Sequence, residues 1–400
     1  MHRRAFFKNS AFATVGTMLI PHFLKAYETR HLGTSPKTAK TLVIVQLSGG
    51  NDGLNTVVPF RNDIYYRERP TLAIAPDKVL KLNDEIGFNP ALKALKGLYD
   101  DGLVTVVNNV GYPNPDRSHF RSMDIWQTAS DADQYLSTGW LGRYLDANCV
   151  GHDCLAHRAI EVDDTLSLAL KGQHLNGLAL LDPKKLHNQT RSGLVRDLAK
   201  PKPADEHSNV AYLYKTLAET ASSADYIYDK SKASHRQFPY PNSELGNRLK
   251  TVSELILAGV NTNVFYISIS GFDTHINQPG QQERLLRQYA EAVAAFTNDL
   301  KANGKLNEVL LMTFSEFGRR VRQNASNGTD HGTANNLFLI GGGLTPGRVF
   351  NEAPNLTNLD EGDLKHTVDF RSIYATLLRD WLKVDDVAVL GRKFETLSFV

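Results

Sequence analysis

Apolar runs and helical periodicities alternate along most of the chain. Thr41-Leu-Val-Ile-Val-Gln-Leu47 is almost unbroken and ends in glycines, as expected of a central strand buried on both faces. Similar runs recur at 103–107, 264–269, 309–314 and 337–340. Between them, helical spacing of apolar residues covers 90–98, 119–128, 243–258, 281–302 and 370–381. Strands alternating with helices predict an α/β fold, a mostly parallel central sheet with helices on both faces. The stretch from about 130 to 240 differs, with polar loops, Lys200-Pro-Lys-Pro203 and few strand-like runs. It reads as an insertion or cap within a single domain spanning 40–400.

The N-terminus adds a compartment. His2-Arg-Arg-Ala-Phe-Phe-Lys8, followed by the modestly apolar segment 10–20, reads as a twin-arginine export signal rather than an ordinary basic helix. Cleavage is expected between about residues 20 and 35. The segment is too short and too polar to span a membrane, and no other run approaches the ~20 residues required. The mature protein is thus expected to be periplasmic or secreted, without a transmembrane segment and with the twin-arginine export machinery as a partner.

Composition supports one sizeable core, since 42% of the 400 residues are hydrophobic and 22% charged. The formal charge of +2 becomes −2 without residues 1–26, which carry four basic residues and no acid. Nucleic-acid binding gains no support from that balance. Two cysteines, Cys149 and Cys154, are spaced for a local disulfide in an oxidising compartment. A single pair of this spacing makes a poor zinc site.

Chemistry concentrates in segments that follow the apolar runs. In Gly49-Gly-Asn-Asp52-Gly53 the glycines let the backbone turn and bring Asp52 over the strand end, either toward a cation or to cap local amides. No G-x-G-x-x-G opens a helix and no P-loop lysine follows. Ser118 sits where a helix N-cap is expected, yet it also offers a hydroxyl at a helix N-terminus beside Arg117, His119 and Arg121. Amides and guanidinium groups there suit a phosphoryl or sulfuryl group. Asp273 and His275, two apart after a strand, form a mixed oxygen and nitrogen pair suited to zinc or manganese; alternatively the acid orients a surface histidine. Glu316 directly follows the run 309–314 and offers a further ligand, and Arg319, one helical turn later if a helix begins there, is an anion clamp or simple ion-pair partner. Asp330 and His331 add adjacent ligands on a loop.

Together with the N-terminus, the segments Leu47-Ser-Gly-Gly-Asn-Asp-Gly53, Arg117-Ser-His-Phe-Arg-Ser-Met-Asp-Ile-Trp-Gln127, Phe272-Asp-Thr-His275, Ser315-Glu-Phe-Gly-Arg319, Thr329-Asp-His-Gly332 and Asp369-Phe-Arg371 resemble the secreted bacterial family called domain of unknown function 1501. That family is similar in fold to the alkaline phosphatase and sulfatase superfamily. The resemblance implies two divalent ions about 4 Å apart and a hydroxyl nucleophile acting on a small anionic ester. Asp52 would hold one ion and position Ser118; Asp273, His275 and His331 would hold the other. Glu316 would serve the first ion, and Asp330 would be a further ligand or orient His331. Arg117, Arg121 and Arg319 would clamp the anion, and His366 and Asp369 are further candidates. Two departures from the superfamily pattern, Asp273-x-His275 in place of Asp-x3-His and Ser315-Glu-Phe-Gly318 in place of Asp-His-Gly, leave a one-metal site as the alternative. The expected function is therefore an exported metal-dependent hydrolase of phosphate or sulfate esters. A non-catalytic periplasmic binding or assembly protein of the same fold is the alternative.

Overall fold

The computed structural model describes residues 40–149, 155–193, 195, 208–232, 238–345 and 348–400. The twin-arginine stretch, Cys154 and Lys200-Pro-Lys-Pro203 lie outside those residues, while Cys149 is disulfide-bonded.

The strands that build the sheet and the site are, in chain order, β1 (Thr41–Leu47), β2 (Val104–Gly111), β3 (Ala159–Glu161), β4 (Leu178–Ala179), β5 (Val264–Ile269), β6 (Val309–Phe314), β7 (Arg319–Gln323), β8 (Thr329–His331), β9 (Asn335–Gly341) and β10 (Val368–Asp369). Eight of them form one sheet in the order β10-β2-β9-β6-β1-β5-β3-β4. Only β9 runs against its neighbours; the other pairings are parallel. The architecture is α/β, with a mixed, mostly parallel sheet and helices on both faces.

Side-chain alternation explains the two cores. Val43, Val45 and Leu47 of β1 point into one, and Leu42 and Ile44 into the other, so the strand is apolar at nearly every position. The first core is closed by α1 (Lys93–Asp100), α4 (Glu244–Leu257) and α5 (Gln278–Ala302). The second is closed by α2 (His119–Thr128), α3 (Trp140–Ala147) and α6 (Phe370–Thr376). The periodicity over 370–381 is served by α6 and a π-helical turn at Leu377–Trp381. Residues 130–240 contribute to this body as well: β3 and β4 extend the sheet edge, and Trp140 and Leu141 of α3 pack in the second core. Strands of three and two residues are too short to leave a periodic signal.

Because β5, β1 and β6 are adjacent and parallel, the loops after Ile269, Leu47 and Phe314 leave the same edge of the sheet, where α/β proteins assemble their sites. Gly49 makes this convergence possible. It has φ +119°, and a Cβ there would lie 2.4 Å from the amide nitrogen of Asp273, so a side chain would force the two loops apart. Arg319 does not fall one turn into a helix. The amide of Gly318 donates to the carbonyl of Thr333, and the chain turns into an antiparallel hairpin of β7 and β8 that sets Arg319 opposite His331.

Candidate metal centre

Three imidazoles and a carboxylate meet at this edge. His119 comes from the first turn of α2, Asp273 and His275 from the loop after β5, and His331 from the end of β8. Ligand atoms of His119, Asp273 and His331 all lie within 4.8 Å of one another. His275 joins them through Nε2, 3.0 Å from Nε2 of His331 and 3.1 Å from Oδ1 of Asp273.

The ring orientations follow from the other nitrogens. Nδ1 of His331 donates to the carbonyl of Arg117 at 2.8 Å. Nδ1 of His119 lies 2.9 Å from Oε1 of Glu316, an oxygen that already accepts from the amide of Gly49. Nδ1 of His275 faces Oδ1 of Asp330 at 3.4 Å. An oxygen acceptor beside every Nδ1 favours a proton there, while Nε2 of His275 and Nε2 of His331, 3.0 Å apart, share a hydrogen bond whose proton a cation would replace. Phe317, wedged against the rings of His119 and His331 at 4.8 Å from each, fixes their planes from below.

Charge in the cluster is uneven. The Glu316 hydrogen bond raises the pKa of His119 above the usual imidazole value, against the pull of burial. Burial lowers that of His331, helped by the charges of Arg319 and His119. Burial works to raise the pKa of Asp273, but the hydrogen bond and charge of Arg319 outweigh it and leave the carboxyl below its ordinary range. Nε2 of His119 is buried without a hydrogen-bond partner, which is unusual for a buried polar atom. Imidazole nitrogens plus a carboxylate oxygen, each held by an outer hydrogen bond, make a donor set that fits a divalent transition-metal ion.

The remaining expected ligands are placed differently. Asp52 is sealed beneath the loops, its Oδ2 accepting from Nη1 of Arg69 at 2.6 Å and Nε2 of Gln278 at 2.5 Å. Glu316 is fully buried and bonded to His119, Gly49 and Ser315, so it orients an imidazole. Asp330 turns to His275 and Asn324 rather than to His331.

The arginines expected to clamp an anion are largely spent. Arg319 is buried and donates to the carbonyls of Gly49, Gly50, Phe272 and Thr329 and to Asp273. It is a tie between loops rather than a free clamp. Arg121 donates to the carbonyls of Asp131, Ala132 and Gln134. Arg117 pairs with Asp363 at 2.5 Å and, more loosely, with Glu361. Ser118 precedes α2 with extended backbone and is exposed, but its hydroxyl makes no cap bond. His366 packs at Gly111, and Asp369 caps α6 and pairs with Arg371; neither joins the cluster. Arg69 and Gln278 escaped sequence reasoning, because an isolated Arg-Pro and a helix-start glutamine carry no motif; Phe317 lies within Ser315-Glu-Phe-Gly-Arg319, but an apolar side chain there gives no sign that it packs on two imidazoles.

Several solved structures are similar to this chain. The C-terminal periplasmic domain of EcEptC from Escherichia coli aligns at 12% identity and TM-score 0.37, covering 76% of this chain and 73% of that one. PsFucS1 sulfatase from Pseudoalteromonas sp. aligns at 12% identity and TM-score 0.40, covering 94% and 73%. A protein of the alkaline phosphatase superfamily from Vibrio parahaemolyticus aligns at 9% identity and TM-score 0.36, covering 79% and 63%. No curated protein matches the sequence. Residues 39–394 match the family described as protein of unknown function (DUF1501), and the chain belongs to that family.

Proposed function

We propose that the protein is an exported hydrolase of phosphate or sulfate esters, working with a single divalent ion, zinc or manganese, held by His119, Asp273, His275 and His331. One observation carries this reading: three Nε2 atoms converge on one carboxylate while every Nδ1 is engaged by an oxygen. Such an ion supplies Lewis acidity to a substrate oxygen and lowers the pKa of a hydroxyl beside it.

The chain's own groups do the rest. Glu316, Asp330 and the carbonyl of Arg117 hold the rings in place. Ser118 is the nucleophile: its hydroxyl is free of the helix cap, and both of its chain neighbours touch the cluster. The amides at the start of α2 and their dipole favour an anionic group there. One ion rather than two is proposed because Asp52, the carboxylate expected to hold the other, is sealed against Arg69 with both side chains 0% exposed, whereas Asp273 keeps 47% of its side chain exposed.

Elemental analysis of the purified mature protein, beside a panel of phosphate mono- and diesters and sulfate esters, tests the reading. One equivalent of zinc or manganese, lost in Asp273→Ala, with turnover lost in Ser118→Ala, is the expected result. Metal-free protein that takes up no ion on incubation would sink it. Binding without turnover is a second reading, supported by the engagement of Arg121 and Arg319 with backbone carbonyls; it expects metal uptake with no hydrolysis of any ester.

No helix among the described residues is long and apolar enough to cross a membrane.

A further inference from the structure

The surface around the cluster carries an unusual share of exposed apolar side chains. Phe120 is 88% exposed and Ile276 64%, and they directly follow His119 and His275 in the chain. Consecutive Cα atoms are ~3.8 Å apart, so both side chains begin within one residue of a converging imidazole. Two more lie on the loop that Arg121 holds. Arg121 donates to the carbonyls of Asp131, Ala132 and Gln134, and its guanidinium sits 3.9 Å from the ring centroid of Tyr135. That fastens the loop bearing Tyr135, 78% exposed, and Leu136, 42% exposed, onto the first turn of α2. Two of the five exposed large hydrophobics among the described residues therefore directly follow a histidine of the cluster, and a third, Tyr135, packs on the Arg121 guanidinium.

Single exposed apolar residues are commonplace and need no explanation, but a group gathered around one polar centre marks a binding surface. Resting on the metal-dependent reading above, we propose that the substrate is an amphiphile, an anionic ester whose apolar alkyl or aryl portion lies over Phe120 and Ile276 while its anionic head meets the imidazoles. The placement of Phe120 and Ile276 directly after two cluster histidines argues for this occupant, because one molecule spanning both must carry a charged end and an apolar end. A bilayer is the weaker candidate. Binding to anionic lipid needs free basic side chains beside the apolar ones, whereas Arg121 is spent on carbonyls and Arg117 on Asp363.

The test is calorimetric titration of the zinc-treated full-length protein with methylphosphonate and with octylphosphonate below its micelle threshold. Covering a side chain of this size is worth about a tenfold gain in affinity or more, so octylphosphonate should bind at least that much tighter. The Phe120→Ser/Ile276→Ser variant should lose most of that advantage while keeping its zinc content and its affinity for methylphosphonate. Equal binding of the two probes by the unaltered protein would overturn the apolar rim and leave the metal reading standing. Binding of neither probe would overturn both, and the zinc content would show which failed first. An advantage that survives the double substitution places the alkyl chain elsewhere and overturns the assignment of these residues. Capture by phosphatidylglycerol vesicles, with no preference between the soluble probes, would replace the amphiphile by a membrane surface.

Discussion

Asp52 and Asp273 stand just beyond the carboxyl ends of neighbouring parallel strands, β1 and β5, and both offer the carboxylate that a cation needs. Around Asp52 the chain closes completely: its side chain and that of Arg69 are both 0% exposed and 2.6 Å apart. Around Asp273 the chain stays open, the side chain 47% exposed and facing three imidazoles. A guanidinium stays charged and cannot leave, whereas an imidazole can give up a proton and lend its lone pair to something that arrives. Two aspartates at equivalent strand ends each meet a built-in guanidinium at 2.6 Å, but Arg69 is sealed in with Asp52, whereas Arg319 leaves Asp273 half exposed and facing the imidazoles. Around Asp52 no room is left for a cation; at Asp273 the structure leaves room for one to come from solution.

Removing the sealed guanidinium should have the largest effect. Arg69→Ala strands a buried carboxylate and should cost about 3–5 kcal/mol of stability, read as a fall in the urea midpoint. Asp52→Asn with Arg69→Gln should recover much of that loss. A drop below about 1 kcal/mol in the single variant would mean that Asp52 finds another partner and would break the comparison.

Glu161 supplies a third carboxylate with neither kind of partner in contact. Its Oε2 accepts from the amide of Ser167 at 2.6 Å, and burial pushes its pKa up from 4.5 to about 7. The folded value exceeds the unfolded one, so this contribution to stability is complete below pH 4.5 and is lost as pH rises to about 7. The loss is about 3 kcal/mol. Stability curves of the natural protein and Glu161→Gln at several pH values should diverge across that window, and parallel curves would remove Glu161 as the contrasting case.

At the open site, zinc at a hundredfold above its dissociation constant should stabilise the fold by about 2.7 kcal/mol, and a chelator should reverse the gain. Asp273→Ala should show no such gain in a thermal melt. An undiminished metal response in that variant would move the ion away from Asp273.

The smallest effect concerns His119 in metal-free protein. Its raised pKa means that the charged ring stabilises the fold below the ordinary imidazole value, and that this is lost as pH rises through the folded value. Titration of the ring by NMR should give a midpoint above 6.5, and Glu316→Gln should bring it down. A midpoint indifferent to that substitution would separate Glu316 from the electrostatics of the centre.

Much of the sheet was legible in advance. The run 41–47 is one strand, and the helical periodicities over 119–128 and 243–258 appear as His119–Thr128 and Glu244–Leu257, the latter capped by Ser243. The antiparallel sense of β9 was not legible, because an apolar run looks the same in either direction. At the site, Asp273, His275 and His331 could be picked out by residue type and by position after or before a strand. The role of Glu316 could not, since a carboxylate that binds an ion and one that orients a histidine look identical in sequence. Whether a helix or a hairpin carries Arg319 was not legible, because the strand pairing that captures it involves Thr333 and His331, beyond the reach of a local pattern.

The sequence by itself determined the alternation of strands and helices, the family, and the residue types gathered at the carboxyl edge of the sheet. These follow from periods of two and 3.6 residues and from short motifs, all set by neighbours along the chain. Only the tertiary structure decided which charge meets which. Glu316 reaches His119 across 197 residues and Gln278 reaches Asp52 across 226, and strand order alone brings such distant segments together. Whether a carboxylate there is sealed by an arginine or left facing imidazoles depends on burial, a property that no single stretch of chain possesses.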